Sequence, residues 1–184
     1  MERLVVGISA KMGSGKSTLA DHLVQEHGFV VFSIADPIKH AVARKTNTSF
    51  DDNKQRKGIV VDGMTLGDRQ VAYGGLKRTK YGPTYWVKKL WDDCVLTSGG
   101  RRIVIDDVRM ECEAEFLQAL GVHLLRLERD VEARRPHWCG RNPDSVTEVD
   151  LDDWPGFDAV FANDGTKDEL FAEVDDVLAL WASN

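Results

Sequence analysis

The chain has 184 residues, 42% of them hydrophobic and 29% charged, and its formal net charge is −6 at pH 7. This composition suits a globular protein with one domain, and the acidic balance argues against a protein that wraps nucleic acid. No apolar run approaches the ~18 residues of a membrane span, the N-terminal run is too short for a signal peptide, and the three cysteines lack C-x-x-C spacing, so we expect a cytoplasmic protein.

A glycine-rich loop at residues 7–18 organises the N-terminal part of the chain. It follows an apolar run at residues 4–6, predicted as a buried strand, and it precedes residues spaced along one face of a helix. These helix residues are Leu19, Ala20, Leu23 and Val24. This order of strand, glycine-rich turn, Gly-Lys-Ser and helix is typical of a phosphate-binding P-loop. Ala10 stands where the pattern often has glycine.

The residue types in this loop explain how it would bind a nucleoside triphosphate. Gly13 and Gly15 permit backbone conformations in which successive N–H groups turn towards an anion. Lys16 is expected to reach the β- and γ-phosphates, and the Ser17 hydroxyl is expected to ligate Mg²⁺. The predicted triphosphate site comprises Gly13, Ser14, Gly15, Lys16, Ser17 and Thr18.

The next stretch contains predicted strands and helices around one poorly defined region. A second strand at 29–34 leads to a helix with Pro37 in its first turn and Asp36 placed to cap it. Residues 46–75 are polar and glycine-rich, and we predict a loop there with one short helix around 67–73. A helix at 84–96 follows.

The second half of the chain repeats the strand–helix alternation. An apolar strand at 102–105 delivers Asp106 and Asp107 at its carboxyl end. A helix at 113–120, with Phe116, Leu117 and Leu120 inward, and a strand at 122–127 follow. A polar stretch at 129–153 precedes a strand at 157–161 and a turn at 163–165. The last helix has an apolar stripe of Leu170, Val174, Val177, Leu178 and Trp181.

This alternation predicts an α/β fold of three layers, with a parallel sheet of about five strands and helices on both faces. Ligands of such folds bind at the carboxyl ends of the strands. We expect one domain over 1–184, with a possible acceptor-binding insertion around 46–83 and a short lid around 129–153.

Four blocks of sequence resemble the bacteriophage-type deoxynucleoside monophosphate kinases, a family of P-loop kinases. The blocks are residues 7–18, residues 32–39 (FSIADPIK), residues 107–115 (DVRMECEAE), and Phe157-Asp158 with Asn163-Asp164-Gly165. The third block is the most specific to the family, and Met110 and Cys112 depart from its pattern there. The resemblance implies transfer of the γ-phosphoryl group of ATP, with Mg²⁺, to a deoxynucleoside monophosphate, in the host cytoplasm if the chain is phage-encoded.

The resemblance also implies roles for residues at the carboxyl ends of the strands. Asp107, with Asp106 as the alternative, would be the acid near the metal, and Arg109 would grip the phosphate of the acceptor. Asp36 would orient the acceptor or accept its proton, unless it is only a helix cap, and Lys39 would hold phosphate.

Further candidates come from the lid, the insertion and the final turn. Arg134, Arg135 and Arg141 could close over the transferring group. The candidates on the acceptor side are Arg69, Lys77, Arg78, Lys80 and Glu113. Asn163 and Gly165 lie where the adenine usually sits, although both are also ordinary turn formers.

The predicted enzyme is thus an ATP-dependent nucleoside monophosphate kinase with a small-molecule substrate and no membrane partner. A nucleic-acid partner is not expected, and a homodimer stays open. The alternatives are a P-loop kinase with another acceptor, such as dephospho-coenzyme A or a hydroxymethylpyrimidine in DNA, and a nucleotide-binding ATPase without an acceptor.

Overall fold

The structure is a computed structural model that describes residues 4–138 and 143–183. Five parallel strands form the main sheet in the order β2-β5-β1-β6-β7, and β3 and β4 form a separate antiparallel hairpin. The strands are β1 Val5–Ala10, β2 Val30–Phe32, β3 Val60–Val61, β4 Met64–Thr65, β5 Ile103–Ile105, β6 His123–Glu128 and β7 Ala159–Ala162.

Helices connect the strands and cover both faces of the sheet, as the alternation in the sequence predicts. The helices of the described residues are α1 Lys16–His27, α2 Asp36–Thr46, α3 Phe50–Gln55, α4 Leu66–Tyr81, α5 Tyr85–Thr97, α6 Glu111–Gln118, α7 Val131–Arg134, α8 Val146–Val149 and α9 Lys167–Ala182. A short 3-10 turn, Arg135–His137, continues α7. Within these residues no helix is both long and apolar enough to cross a bilayer.

Two hydrophobic cores lie on opposite faces of the sheet, because successive side chains of a strand point to opposite sides. Val5 and Ile103 belong to the core covered by α2, α4, α5 and α6. Val6 and Val104 belong to the core covered by α1 and α9. The main-sheet strands therefore have apolar residues on both faces, as expected of a buried parallel sheet.

The predicted loop over much of residues 46–75 is wrong, because this part of the chain forms helices and a hairpin, whereas the helix predicted around 67–73 is found within α4. This part of the chain contains α3, the β3–β4 hairpin and the first part of α4, whose 16 residues far exceed the predicted short helix. The side chain of Thr65 accepts a hydrogen bond from the Asp68 N–H and caps α4. Gly74 lies within α4, where its carbonyl accepts a 3.0 Å hydrogen bond from Trp86 Nε1. A Cβ at Gly74 would lie 3.2 Å from Ile38, so the helix glycine permits close packing.

Two smaller expectations also differ from the structure. Ala35, rather than Asp36, is the N-cap of α2, and the Asp36 side chain instead contacts Lys39 at 2.7 Å. The purely structural interpretation of Asp36 as a helix cap is therefore wrong. Leu120 is 43% exposed rather than inward, because α6 ends at Gln118 before it.

The apolar stripe of α9 gives a direct test of the core. Leu178 is 3% exposed and Leu180, in the same helix, is 66% exposed. We expect Leu178→Ala to lower the free energy of unfolding by about 2–5 kcal/mol, because it leaves a cavity. The control Leu180→Ala should change it by less than about 0.5 kcal/mol. Urea denaturation followed by circular dichroism measures both, and equal effects would contradict this packing.

Candidate active site

The glycine-rich loop has the backbone geometry that its sequence predicts. Gly13 and Gly15 have φ values of 83° and 93°, in the left-handed region that residues with a Cβ rarely adopt. A Cβ at Gly13 would lie 2.9 Å from the carbonyl oxygen of Arg134. The loop ends at Lys16, the first residue of α1, and Ser17 is exposed beside it.

Several features of the loop suit a bound phosphate. The hydroxyl of Ser14 is buried and has no hydrogen-bond partner in the part of the chain that the structure describes. A cavity of about 250 Å³ lies next to it. Its cationic lining residues are Lys11, Arg126, Arg129 and Arg134. Two carboxylates, Glu128 and Asp152, also line the cavity and contact Lys11 or Arg126. An anion such as the triphosphate of ATP would satisfy the Ser14 hydroxyl and could bind the cations in place of these carboxylates, so the residues fit the predicted ligand.

The two aspartates after β5 have different partners. Asp106 lies 3.4 Å from Lys16 Nζ and accepts a hydrogen bond from the Ser33 hydroxyl. Asp107 accepts hydrogen bonds from the backbone N–H groups of Ile34 and Ala35, at 2.5 and 3.2 Å. The geometry therefore favours Asp106 for the position beside the P-loop, and Asp107 holds the turn that begins α2.

The pKa of the Asp107 carboxyl is raised to about 7. Burial is the main cause, and the neighbouring charge of Asp106 adds to it, while Lys16 and Arg109 oppose it. The residue keeps part of its surface exposed, but protein atoms enclose its carboxyl.

Arg109 is linked to the P-loop by an acidic residue of α8. Its Nη1 lies 2.5 Å from one carboxylate oxygen of Glu148, in α8. The other oxygen of Glu148 accepts a 2.7 Å hydrogen bond from the backbone N–H of Met12, within the P-loop. One carboxylate thus bridges the P-loop and the arginine that the sequence predicts as a phosphate ligand.

A second acid of the same segment also contacts cations at the site. Asp152 lies 2.5 Å from Lys11 Nζ and 3.0 Å from Arg126 Nη2. Arg126 is 6% exposed and also donates to the hydroxyl of Ser9 at 2.9 Å. Residues 145–152 are therefore attached to the P-loop by charged contacts.

Glu113 lies beneath Arg109 rather than in an open pocket. It is 2% exposed, accepts a hydrogen bond from the Arg109 N–H at 3.2 Å and pairs with Arg78 at 3.1 Å. Burial raises its pKa, and Arg78 opposes this shift. Glu113 thus orients the backbone of Arg109 from below.

Other predicted residues divide into those near the P-loop and those away from it. Asn163 donates a 2.8 Å hydrogen bond to the Ser14 carbonyl, and Arg134 lines the cavity while its Nε bonds the Arg129 carbonyl. Arg69 instead donates to the Val61 carbonyl of the β3–β4 hairpin. Gly165 packs against Glu169 at the start of α9, and Arg141 lies outside the described residues.

The structure can be compared with known proteins. No protein-family model matches the sequence. A protein of Acanthamoeba polyphaga mimivirus is 26% identical in an alignment of 191 positions that covers 93% of this chain and 94% of that protein. It carries the provisional name deoxynucleotide monophosphate kinase.

Solved structures share the architecture, and two of the three described here are kinases. Shikimate kinase from Aquifex aeolicus vf5 has a TM-score of 0.54 at 13% identity and covers 98% of each chain. A sugar kinase from Janibacter sp. HTCC2649 has a TM-score of 0.54 at 19% identity and covers 95% of this chain and 92% of its own. TT1252 from Thermus thermophilus has a TM-score of 0.55 at 18% identity and covers 97% of this chain and 98% of its own. The chain has the P-loop kinase fold. The predicted fold class is confirmed.

Within this P-loop kinase fold, sequence reasoning missed four residues near the P-loop: Ser33, Arg126, Glu148 and Asp152. Arg126 could have been singled out from the sequence, because it is a charged residue inside the apolar run that becomes β6. Glu148 and Asp152 are acidic residues in a polar stretch, and Ser33 is a small polar residue at the end of an apolar run, so nothing in the pattern marks these three as site residues.

The raised pKa of Asp107 predicts how pH changes stability in protein free of nucleotide and metal. Between the unfolded pKa near 3.8 and about 7, the folded state keeps a proton that the unfolded state releases. The free energy of unfolding of the wild type should therefore fall, relative to that of Asp107→Asn, as pH rises through this window. Above about pH 7 the difference between the two proteins should stay constant. Denaturant titrations of both proteins between pH 4 and 8 measure the effect.

Asp92→Asn, at an exposed position of α5, is the matched control for Asp107→Asn. If the difference in unfolding free energy between wild type and Asp107→Asn does not change with pH, the raised pKa is wrong.

Proposed function

We propose that this protein is a magnesium-dependent kinase that transfers the γ-phosphoryl group of ATP to a deoxynucleoside monophosphate. The bridge made by Glu148 carries the proposal, because it holds one anion between the P-loop N–H of Met12 and the guanidinium of Arg109. A phosphoryl group in the place of the Glu148 carboxylate would contact both the P-loop and Arg109. The fold and the provisional name of the mimivirus relative support kinase chemistry.

Each side chain has a role that follows from its position. Lys16 would bind oxygens of the β- and γ-phosphates, where charge spreads over the transferring group. Ser17 and Asp106 would hold Mg²⁺, which supplies further neutralisation of that charge. Arg109 would bind the acceptor phosphate through its planar fork of donors, which suits two phosphate oxygens.

The acceptor that we propose needs little proton transfer. A phosphate monoester has a second pKa of about 6, so the attacking oxygen is already largely deprotonated at neutral pH. Asp36 would therefore orient the acceptor. Lys39, whose Nζ lies 2.7 Å from the Asp36 carboxylate, would help to hold phosphate. With a hydroxyl acceptor the same carboxylate would have to serve as a base.

A substrate panel tests the reaction. We expect ADP release from ATP and Mg²⁺ to be strongly stimulated by at least one of the deoxynucleoside monophosphates, with ribonucleotides and dephospho-coenzyme A as comparisons. Lys16→Ala should lower kcat by at least about a hundredfold. The control Lys89→Ala, at an exposed position of α5, should retain activity.

Asp36→Asn separates the acceptor classes. The substitution should lower kcat only slightly with a phosphate acceptor and much more with a hydroxyl acceptor. Hydrolysis that no monophosphate stimulates, or full activity of Lys16→Ala, would overturn the proposed function.

Glu148 should compete with the acceptor for Arg109. Replacing it with Gln removes the carboxylate charge from the bridge, so acceptor affinity should rise by about 2–10-fold, the equivalent of one hydrogen bond. Arg109→Lys should lower acceptor affinity, because an ammonium cannot bind two oxygens as a fork. Isothermal titration with a non-hydrolysable ATP analogue present measures both.

The matched control for Glu148→Gln is Glu132→Gln, which lies in α7 and pairs with Arg135 rather than with the P-loop. Weaker acceptor binding by Glu148→Gln would show that the carboxylate supports the acceptor site instead of competing for it.

A further inference from the structure

Two histidines and one aspartate form a cluster where α1 packs against α9. The Nε2 atoms of His22 and His27 lie 2.8 and 2.7 Å from the same oxygen of Asp175. Residues 4–138 and 143–183 contain one group of three His, Cys, Asp or Glu side chains whose possible ligand atoms all lie within 4.8 Å of one another, and these three residues form it.

Neighbouring contacts hold the two imidazole rings in place. The ring of His22 stacks on Phe171 at 4.0 Å between centroids, with an interplanar angle of 5°. The ring of His27 meets that of His22 edge to face, with centroids 5.5 Å apart. The His22 side chain is only 10% exposed, while that of Asp175 is 40% exposed. The cluster is thus fixed on one side and open to small ions on the other.

We propose that His22, His27 and Asp175 bind one divalent transition-metal ion such as Zn²⁺, Co²⁺ or Ni²⁺. Two neutral imidazoles and one carboxylate are a donor set that these ions prefer, whereas Mg²⁺ and Ca²⁺ prefer oxygen ligands alone. The ion would take the place of the hydrogen atoms between the rings and Asp175, and each neutral ring would then carry its hydrogen on Nδ1.

The distances are close to those that a tetrahedral ion needs. Ligand bonds of about 2.0–2.1 Å at a tetrahedral angle separate ligand atoms by about 3.3 Å. The two N–O separations of 2.8 and 2.7 Å are shorter than this, so small side-chain rotations would admit the ion. Water or a small ligand could complete the coordination from the adjoining cavity of about 760 Å³.

The surroundings favour a cation. Two further carboxylates, Asp21 and Glu26, line the cavity, against one ammonium, Lys167. Thr18, the last residue of the predicted triphosphate site, lines this cavity, but the three proposed ligands lie outside that site, and the cavity shares no lining residue with the described cavity of about 250 Å³. The proposed metal site therefore neither requires nor tests the proposed kinase reaction.

Binding should also stabilise the protein, because the ion would join α1 to α9. The start of α1 is the end of the P-loop, and α9 follows the turn in which Asn163 contacts Ser14. An ion that binds only the folded state shifts the unfolding equilibrium by mass action. The melting temperature should therefore rise with Zn²⁺ and fall back when a chelator removes it.

The test is a Co²⁺ titration of the full chain without nucleotide, with cysteines kept reduced and excess Mg²⁺ present to occupy the P-loop region. We expect one equivalent of Co²⁺ by calorimetry and visible d–d absorption without the near-ultraviolet bands of thiolate ligands, with Zn²⁺ displacing Co²⁺. His27→Gln and Asp175→Asn should each weaken binding at least about tenfold. The control His40→Gln, at a histidine that stacks on Phe50 in another part of the fold, should not.

Three outcomes would overturn the proposed site: no stoichiometric binding, unchanged affinity in both variants, or absorption bands of thiolate ligands. Circular dichroism of His27→Gln and Asp175→Asn without metal checks that each variant folds. If one variant does not fold, the other still decides the question.

Discussion

The concentration of positive charge at the P-loop is the constraint on which the rest of the site depends. The loop conformation at Gly13 and Gly15 and the start of α1 present N–H groups and a positive helix end at one edge of the sheet. Lys16 and the surrounding arginines add formal charges there. Such a cluster is stable only with nearby anions, and acidic side chains supply them: Asp106, Glu148 and Asp152.

These carboxylates already balance cations at the loop of a protein whose net charge is −6. Each contacts a cation or an N–H group that a phosphate could also use, so binding of the proposed triphosphate would exchange one anion for another. Glu148 lies in α8 and Asp152 shortly after it, so one short segment supplies both carboxylates. The parallel sheet makes this arrangement possible, because the carboxyl ends of β1, β5 and β6 meet at one edge.

Two carboxylates that do not line the cavity at the P-loop hold the neighbouring backbone in place. Asp107 fixes the turn before α2 through backbone N–H groups, and Glu113 joins Arg78 of α4 to the backbone of Arg109. Removing one partner of such a pair would leave a buried charge unpaired, which is costly. The predicted ligand roles of Asp107 and Glu113 stay predictions, and in the structure both carboxylates accept hydrogen bonds from the backbone beside the P-loop. The narrower resemblance to the bacteriophage-type kinases stays a prediction.

The amino-acid sequence by itself determined the P-loop, the alternation of strands and helices, and hence the three-layer fold, because these depend on glycine positions and apolar spacing within short stretches. Only the tertiary structure decided that Asp106 faces Lys16, and that Glu148 pairs with Arg109. It also decided that α4 is long and continues through Gly74, whose carbonyl accepts a hydrogen bond from Trp86 and whose missing Cβ leaves room for Ile38. Met12 and Glu148 are 136 positions apart. Local patterns carry no information about such a contact, which exists only once the sheet has brought both segments to one edge.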